Sequence, residues 1–321
     1  MAGCAWCGCD MRRWQHVPLD PIAATSVSHQ DVYWCDGCGV GAVHPVPSPE
    51  EVAQFYRLAA YYTHGTAHSV EGEPYGLLDK VRVKLAVKLD RGTPMTATLI
   101  HRALGRKARR ICDVGAGSGN LAAALAGYGH EVVAVEVDPE SVVRQHGQRI
   151  ATFAGTAESL PPEVTSRQFD CVLLSHVLEH CRDPRLALRN VRALLAPGGL
   201  LIAEVPNNEA LTLRDVGCAW SMFDAPRHLT FFTRRSLRSA CEDAGFSVTR
   251  TFHAHYHRQF TNGWIGTEQK LFANVTSNGT RPTPAPKRNS RALAWQLLAK
   301  TALAPADRKY DSIGVFARAA A

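Results

Sequence analysis

The chain has 321 residues, 45% hydrophobic and 20% charged, a balance that suits a soluble globular protein of roughly two domains. No apolar run approaches the ~20 residues of a membrane span, and the N-terminal MAGCAWCGCDMRR lacks the apolar core of a signal peptide, so the expectation is a cytoplasmic protein with no membrane partner. Lysine plus arginine number 36 against 29 acidic residues, a formal charge of +7 that permits an anionic substrate or nucleic acid without requiring either.

The first forty residues hold five of the ten cysteines. Cys4-x-x-Cys7 and Cys35-x-x-Cys38 are two knuckles, each followed by glycine, Gly8 and Gly39. Four thiolates close a tetrahedral shell around Zn2+, and C-x-x-C lets two of them reach one ion from a tight turn. The pattern resembles a zinc ribbon with a long gap, and a filled four-thiolate shell leaves no place for substrate, so the expected role is structural. Cys9 is a spare thiol able to replace Cys7, with His29 a weaker substitute. The remaining cysteines are scattered singly and read as small core residues.

Next, Ser48 followed by Glu51 reads as a capping box opening a helix. A second helix is expected over 74–90, with Leu78, Val81, Leu85 and Leu89 as its apolar stripe and Lys80, Lys84 and Lys88 as its polar one. A third is expected over 94–104. Arg82, Lys84, Lys88, Arg91, Arg102, Arg106, Lys107, Arg109 and Arg110 crowd this stretch and read as a solvated face. These helices form a linker or lid, 48–105, between a ribbon module, 1–47, and a third domain, 106–321.

From Arg110 the pattern alternates strand and helix. Strands are expected at 111–114, 131–136, 151–153, 169–175, 200–205 and 246–253, with helices at 120–128, 139–146, 184–195 and 236–244 between them. Such alternation means an α/β fold, a doubly wound, mostly parallel sheet with helices on both faces. The proline-rich, basic 281–291 reads as a loop within an insertion, 256–310, before a last strand near 312–317.

"RRICDVGAGSGNLAAAL" is strand, glycine turn, helix, with Gly115, Gly117 and Gly119 spaced G-x-G-x-G. Glycines there let a ligand approach backbone amides at a helix start. Glu136 ends the next strand, where an acid binds ribose hydroxyls. A dinucleotide fingerprint needs glycine where this chain has Asn120. Asp113, at the end of the first strand, would repel a pyrophosphate and accept the sulfonium and ammonium of S-adenosylmethionine.

These residues carry a family resemblance. "ICDVGAGSGNLAAALAGYGHEVVAVEVDPESV" resembles the first two motifs of class I S-adenosylmethionine-dependent methyltransferases, "GTAESLP" the third, and "FDCVLLSHVLEHCRDPRLALRNVRALLAPGGLLIAEVPN" the fourth and fifth. The resemblance covers roughly 110–255 and implies a Rossmann-like, seven-stranded sheet whose last strand is antiparallel. With the ribbon, it also resembles a bacterial subgroup acting on sugars, natural products or other small metabolites. It implies a cofactor site of Asp113, Gly115, Ala116, Gly117, Gly119, Glu136, Val137, Thr156, Ala157, Glu158, Ser175 and His176.

His176-Val177-Leu178-Glu179-His180 matches H-x-x-E-H, an inverted zinc-peptidase signature that requires one long helix. A strand is expected to end at Ser175 and a helix to start after Asp183, so the peptidase reading fails. Glu179 and His180 instead stand at the carboxyl end of the fourth strand, which faces the ligand crevice. They and His228, in "FDAPRHLTFFT", are the candidate catalytic residues, the histidines as general bases. Some quinone-pathway O-methyltransferases carry E-x-x-E-H here, associated with a divalent ion, and His176 departs from that pattern. His253, His255 and His257 are expected to share one face of a strand as ordinary polar residues, and Tyr61 and Tyr62 to be aromatic core. The leading function is O- or N-methylation of a small-molecule acceptor. The alternatives are an RNA or protein methyltransferase gripping its substrate with the ribbon and basic stretch, and a cofactor-binding module without catalysis.

Overall fold

Twelve strands run through the described residues of the computed structural model, which are 2–25, 31–56, 74–279 and 281–319. His29, Tyr61 and Tyr62 lie outside them. In chain order the strands are β1 Ala2–Gly3, β2 Asp10–His16, β3 Asp31–Cys35, β4 Val40–His44, β5 Arg110–Val114 and β6 Glu131–Glu136. They continue as β7 Ala151–Ala154, β8 Phe169–Ser175, β9 Leu195–Pro206, β10 Thr230–Phe231, β11 Phe246–Ala254 and β12 Ser312–Ala319.

Seven of them form one sheet in the order β11-β12-β9-β8-β5-β6-β7. The pairs β5–β6, β5–β8, β6–β7 and β8–β9 are parallel. The expected Rossmann-like fold, doubly wound and mostly parallel, is the one observed. Parallel strands are covered on both faces and so need near-continuous apolar runs. Ile111, Cys112 and Val114 of β5 and Val172, Leu173 and Leu174 of β8 are all fully buried. The register aligns Asp113 with Ala134 and Leu173, and Ser175 with Glu204, so these polar residues gather at the carboxyl edge. The helix Pro184–Leu194 covers one face. Asp183 caps it by accepting from the Arg185 and Leu186 amides at 3.0 Å each, and Ala187, Leu188, Val191 and Leu194 are its buried stripe.

The second sheet has the order β1-β2-β3-β4-β10. β10 joins through Thr230 opposite Ala42 and Phe231 opposite Gly41, so a strand from far along the sequence completes the N-terminal module. Trp14 meets Trp34, Phe223 and Phe231 at ring separations of 4.8, 5.9 and 5.8 Å, which binds the two chain regions into one core.

The chain divides into two compact units. One comprises 1–93, 206–236 and 253–313 and contains the small sheet. The other comprises 94–205, 237–252 and 314–321 and contains most of the large one. Each has its own apolar core, the first around Trp220, Phe223 and Tyr256, the second around Ile111, Leu173 and Ile202.

The helix Leu77–Leu89 keeps its lysine stripe exposed as expected, but of its apolar stripe only Leu89 is half-buried against the core. It buries Asp79, Arg82 and Ala86, whereas Leu78, Val81 and Leu85 are exposed. Arg82 pairs with Asp79 at 2.8 Å and donates to the Phe260 carbonyl at 3.0 Å and the Asn262 side chain at 2.6 Å. A fully satisfied guanidinium can be buried, so Arg82 is no part of a solvated basic face. His253, His255 and His257 also part company. β11 ends at Ala254, His253 bonds Asp307, His257 bonds Asp90, and His255 turns into the left-handed region at φ 66°.

Candidate functional site

The glycine turn between β5 and the helix Asn120–Ala126 is built for close approach. Gly119 caps that helix at φ 75°, and a Cβ there would stand 2.6 Å from Val142 Cγ1. At Gly115, φ 72°, a Cβ would meet Val177 Cγ2 at 2.5 Å. Both positions therefore exclude any side chain. Gly117 is different: it lies at φ 57° with nothing within 4 Å of its Cβ direction, so the loop leaves space there for a ligand.

Two carboxyl groups stand beside this loop. Glu136 accepts from the Gly117 amide at 2.7 Å through one oxygen and from the Val137 amide at 2.9 Å through the other. These bonds hold its carboxylate in one orientation at the end of β6 and partly offset the upward pull of burial on its pKa. Asp113 is 2% exposed, and burial, reinforced by the Glu136 charge, pushes its pKa up to about 7. A cation brought beside Asp113 would restore its charged form. The arrangement of open glycine, oriented Glu136 and cation-seeking Asp113 fits S-adenosylmethionine. Val137 follows Glu136 and is 72% exposed.

The third motif has a framework duty in the structure. Glu158 accepts from the Arg182 and Asp183 amides at 3.2 and 2.8 Å, and Asn190 donates to the Ala157 and Glu158 carbonyls at 3.0 Å each. Thr156 closes its own turn with Ser159, and Ala157 is buried. The 155–159 loop is thus tied to the segment that follows β8.

After Ser175 the chain turns sharply. His176 adopts φ 55°, and its amide donates to the Glu204 carbonyl at 2.8 Å. Residues Leu178–His180 form a single 3-10 turn, too short for the helix a zinc peptidase needs. The His176 ring meets Glu179 at 3.0 Å through Nδ1 and Glu204 at 3.5 Å through Nε2. Burial alone would lower the His176 pKa, but the two carboxylates outweigh it and raise the value to about 10. At neutral pH this ring is an imidazolium. Glu179 is 1% exposed, and its second oxygen has no hydrogen-bond partner among the described residues. His180 donates its amide to the Val177 carbonyl at 3.0 Å.

Sequence reasoning missed Glu204. Its signal was present, since an acid ending the apolar run LLIAEV is out of place in a buried strand.

His228 belongs to the other compact unit. It is nearly buried, and its Nδ1 donates to the Met222 carbonyl at 3.1 Å. A carbonyl only accepts, so in the neutral ring Nε2 carries the lone pair, the tautomer a base requires. Its turn is anchored by Arg227, which is fully buried, grips Asp20 through two bonds of 2.7 Å and reaches Asp224 at 3.0 Å. Asp20 was another partner the sequence did not announce.

The four cysteine sulfurs of the N-terminal module lie within 4.8 Å of one another. Cys4 and Cys38 are 3.5 Å apart, Cys7 and Cys35 3.4 Å. The knuckles repeat one turn: Gly8 donates to the Cys4 carbonyl at 2.8 Å and Gly39 to that of Cys35 at 2.9 Å. Four thiols gathered at that spacing fit a tetrahedral metal shell. Cys9 is exposed, outside this foursome.

The family described as "Methyltransferase domain" matches residues 91–251, about half of the chain. Over 189 residues the chain is 31% identical to the ubiquinone biosynthesis O-methyltransferase of Cereibacter sphaeroides, covering 56% of this chain and 73% of that one. It is 28% identical over 221 residues to the enzyme of that name from Azorhizobium caulinodans, covering 63% and 81%. Among solved structures, a Burkholderia thailandensis 1,6-didemethyltoxoflavin-N1-methyltransferase superposes with a TM-score of 0.48 at 16% identity, over 92% of this chain and 97% of that one.

Proposed function

The chain belongs to the S-adenosylmethionine-dependent methyltransferases, and from that premise we propose that it methylates a small-molecule acceptor, with a hydroxyl oxygen favoured over nitrogen. The observation that carries the donor half is the Asp113–Glu136 pair beside the open Gly117. The choice of oxygen rests on the relatives, which are O-methyltransferases of a small molecule by name. S-adenosylmethionine, when bound, supplies an electrophilic methyl group that passes in line to the acceptor, its bonding pair returning to sulfur.

In this reading Asp113 holds the positive end of the donor and Glu136 its ribose hydroxyls. Gly115, Ala116, Gly117 and Gly119 admit it to the loop. The exposed Val137 offers an apolar face beside the base, with Thr156, Ala157 and Glu158 closing that side. Ser175 and His176 line the end of β8. Most of the catalysis is alignment. A hydroxyl acceptor must also lose its proton, and His180, His228 and Glu179 are the groups proposed to receive it. The N-terminal Cys4, Cys7, Cys35 and Cys38 hold a structural Zn2+ that folds the module.

Incubation with methyl-labelled S-adenosylmethionine and fractionated cell extract tests the reading. Label should enter a small-metabolite fraction, and label entering RNA or protein instead would overturn the acceptor class. His180→Ala or His228→Ala should slow the transfer by ~10²-fold if that residue removes the proton. Full activity in both variants and in Glu179→Gln would remove the general-base step.

A further inference from the structure

The turn after β8 carries an arrangement that alignment of a methyl donor does not require: two buried carboxylates facing a single histidine. Glu179 comes from the 3-10 turn and Glu204 from β9, and each is 1% exposed. Two carboxylates at that depth need a compensating cation to stay ionised. We propose that the His176 side chain is that cation, standing where a divalent metal ion would otherwise bridge Glu179 and Glu204, so that no divalent ion bridges these two acids.

Three features support the assignment. The ring is placed by the backbone and not only by its own contacts. His176 sits at φ 55°, unusual for a residue with a side chain, and its amide bond to the Glu204 carbonyl fixes the turn that aims the ring between the two acids. The chemistry of the ring also excludes ligation. The ring is engaged on both sides, with Nδ1 3.0 Å from Glu179 and Nε2 3.5 Å from Glu204, and an imidazolium held by these two charges has no lone pair to give a metal. A hard divalent ion collects oxygens at roughly 2.0–2.6 Å, and the oxygen of Glu179 nearest His176 is already taken at 3.0 Å. The gap between Glu179 and Glu204 is therefore filled by the ring and does not fit a bridging divalent ion.

The arrangement also has a use. With one oxygen held by His176, Glu179 keeps its second oxygen buried and unpartnered among the described residues. The ring at its back holds that carboxylate in one orientation. It can then accept a hydrogen bond from an acceptor hydroxyl or amine. His176 is thus a positioning residue acting through Glu179. This use rests on the methyltransferase reading, whereas the exclusion of an ion from between the two acids does not.

Calorimetric titration with Mg2+ alone, on the native full-length protein, tests the proposal without knowledge of the acceptor. The native chain should show no stoichiometric Mg2+ binding that depends on Glu204. His176→Glu puts three carboxylates around one point, and should bind Mg2+ at least ~10-fold more tightly than the native chain. His176→Gln removes the charge without adding an oxygen anion and should gain no such site. Stoichiometric Mg2+ binding by the native protein that disappears in Glu204→Gln would overturn the proposal. So would a His176→Glu protein that keeps a cooperative thermal unfolding transition yet gains no Mg2+ affinity. Should His176→Glu not fold, the native titration and its Glu204→Gln control still decide. Failure of the native chain to bind S-adenosylhomocysteine would count against the methyltransferase reading and leave the ion test standing.

Discussion

Asp113→Asn should change how stability depends on pH, and the size of the change follows from burial. Asp113 is 2% exposed, and burial first, then the neighbouring Glu136 charge, moves its pKa from an ordinary 3.8 to about 7. In the unfolded chain the group ionises near its ordinary value. Between the two values the folded chain keeps a proton that the unfolded chain has lost. Fewer protons on the unfolded state mean that unfolding free energy falls as pH rises through this window. At ~1.4 kcal/mol per pKa unit the full penalty is about 4 kcal/mol, of which about 3 kcal/mol accumulates between about pH 5 and about pH 8. Asparagine has no proton to lose and escapes it. Urea unfolding of both proteins across that range should show the variant gaining about 3 kcal/mol relative to the native chain as pH rises. A difference between the two proteins that stays constant with pH would refute the reasoning, because it would mean that Asp113 ionises as readily folded as unfolded.

Binding of S-adenosylmethionine should report on the same group. Near pH 6 a carboxyl with its pKa at about 7 is roughly nine-tenths protonated, so a cation bound beside it should release close to one proton, seen as buffer-dependent heat in calorimetry. Near pH 8 the release should be about a tenth of a proton, and equal heats in all buffers near pH 6 would place the cation elsewhere. Gly119→Ala puts a methyl group 2.6 Å from Val142 Cγ1 at φ 75°; strain and overpacking together should cost ~2–4 kcal/mol in thermal or urea unfolding and weaken S-adenosylhomocysteine binding. Cys35→Ser should remove stoichiometric zinc and lower the thermal midpoint. In Cys7→Ser the neighbouring Cys9 should restore part of the metal content, and a complete loss would show that Cys9 cannot reach the shell.

What could be read from the sequence was what short segments determine by themselves. Asp113, Gly115, Gly117 and Gly119 lie within seven consecutive residues, and Glu136 ends the next strand, so one strand-turn-helix-strand unit assembles them. The Ser48 capping box and the Asp183 cap are equally local, and both form as read. The face of the helix Leu77–Leu89 was not legible. Apolar spacing shows that one stripe is different, but which stripe is buried depends on the partners available. Here Phe260 and Asn262 supply acceptors that let Arg82 go inside and leave Leu78 outside. The joining of β10 to β4 was hidden for the same reason, as was the Asp20–Arg227 pair: each depends on segments brought together only by the completed chain.

The H-x-x-E-H letters show where this boundary falls. Their spacing alone admits a metal centre, and only the lateral pairing of β8 with β9, which sets Ser175 opposite Glu204, brings a second acid to His176. With that acid present, the histidine faces a carboxylate on each side, and as an imidazolium it has no lone pair to give a metal. The same five residues on a continuous helix would expose two imidazole lone pairs to one ion. After a parallel strand, with the chain turned by a left-handed residue, they supply a cation instead. What the motif does in this chain is therefore decided by a residue outside it, Glu204, and by the one backbone angle that turns His176 toward it.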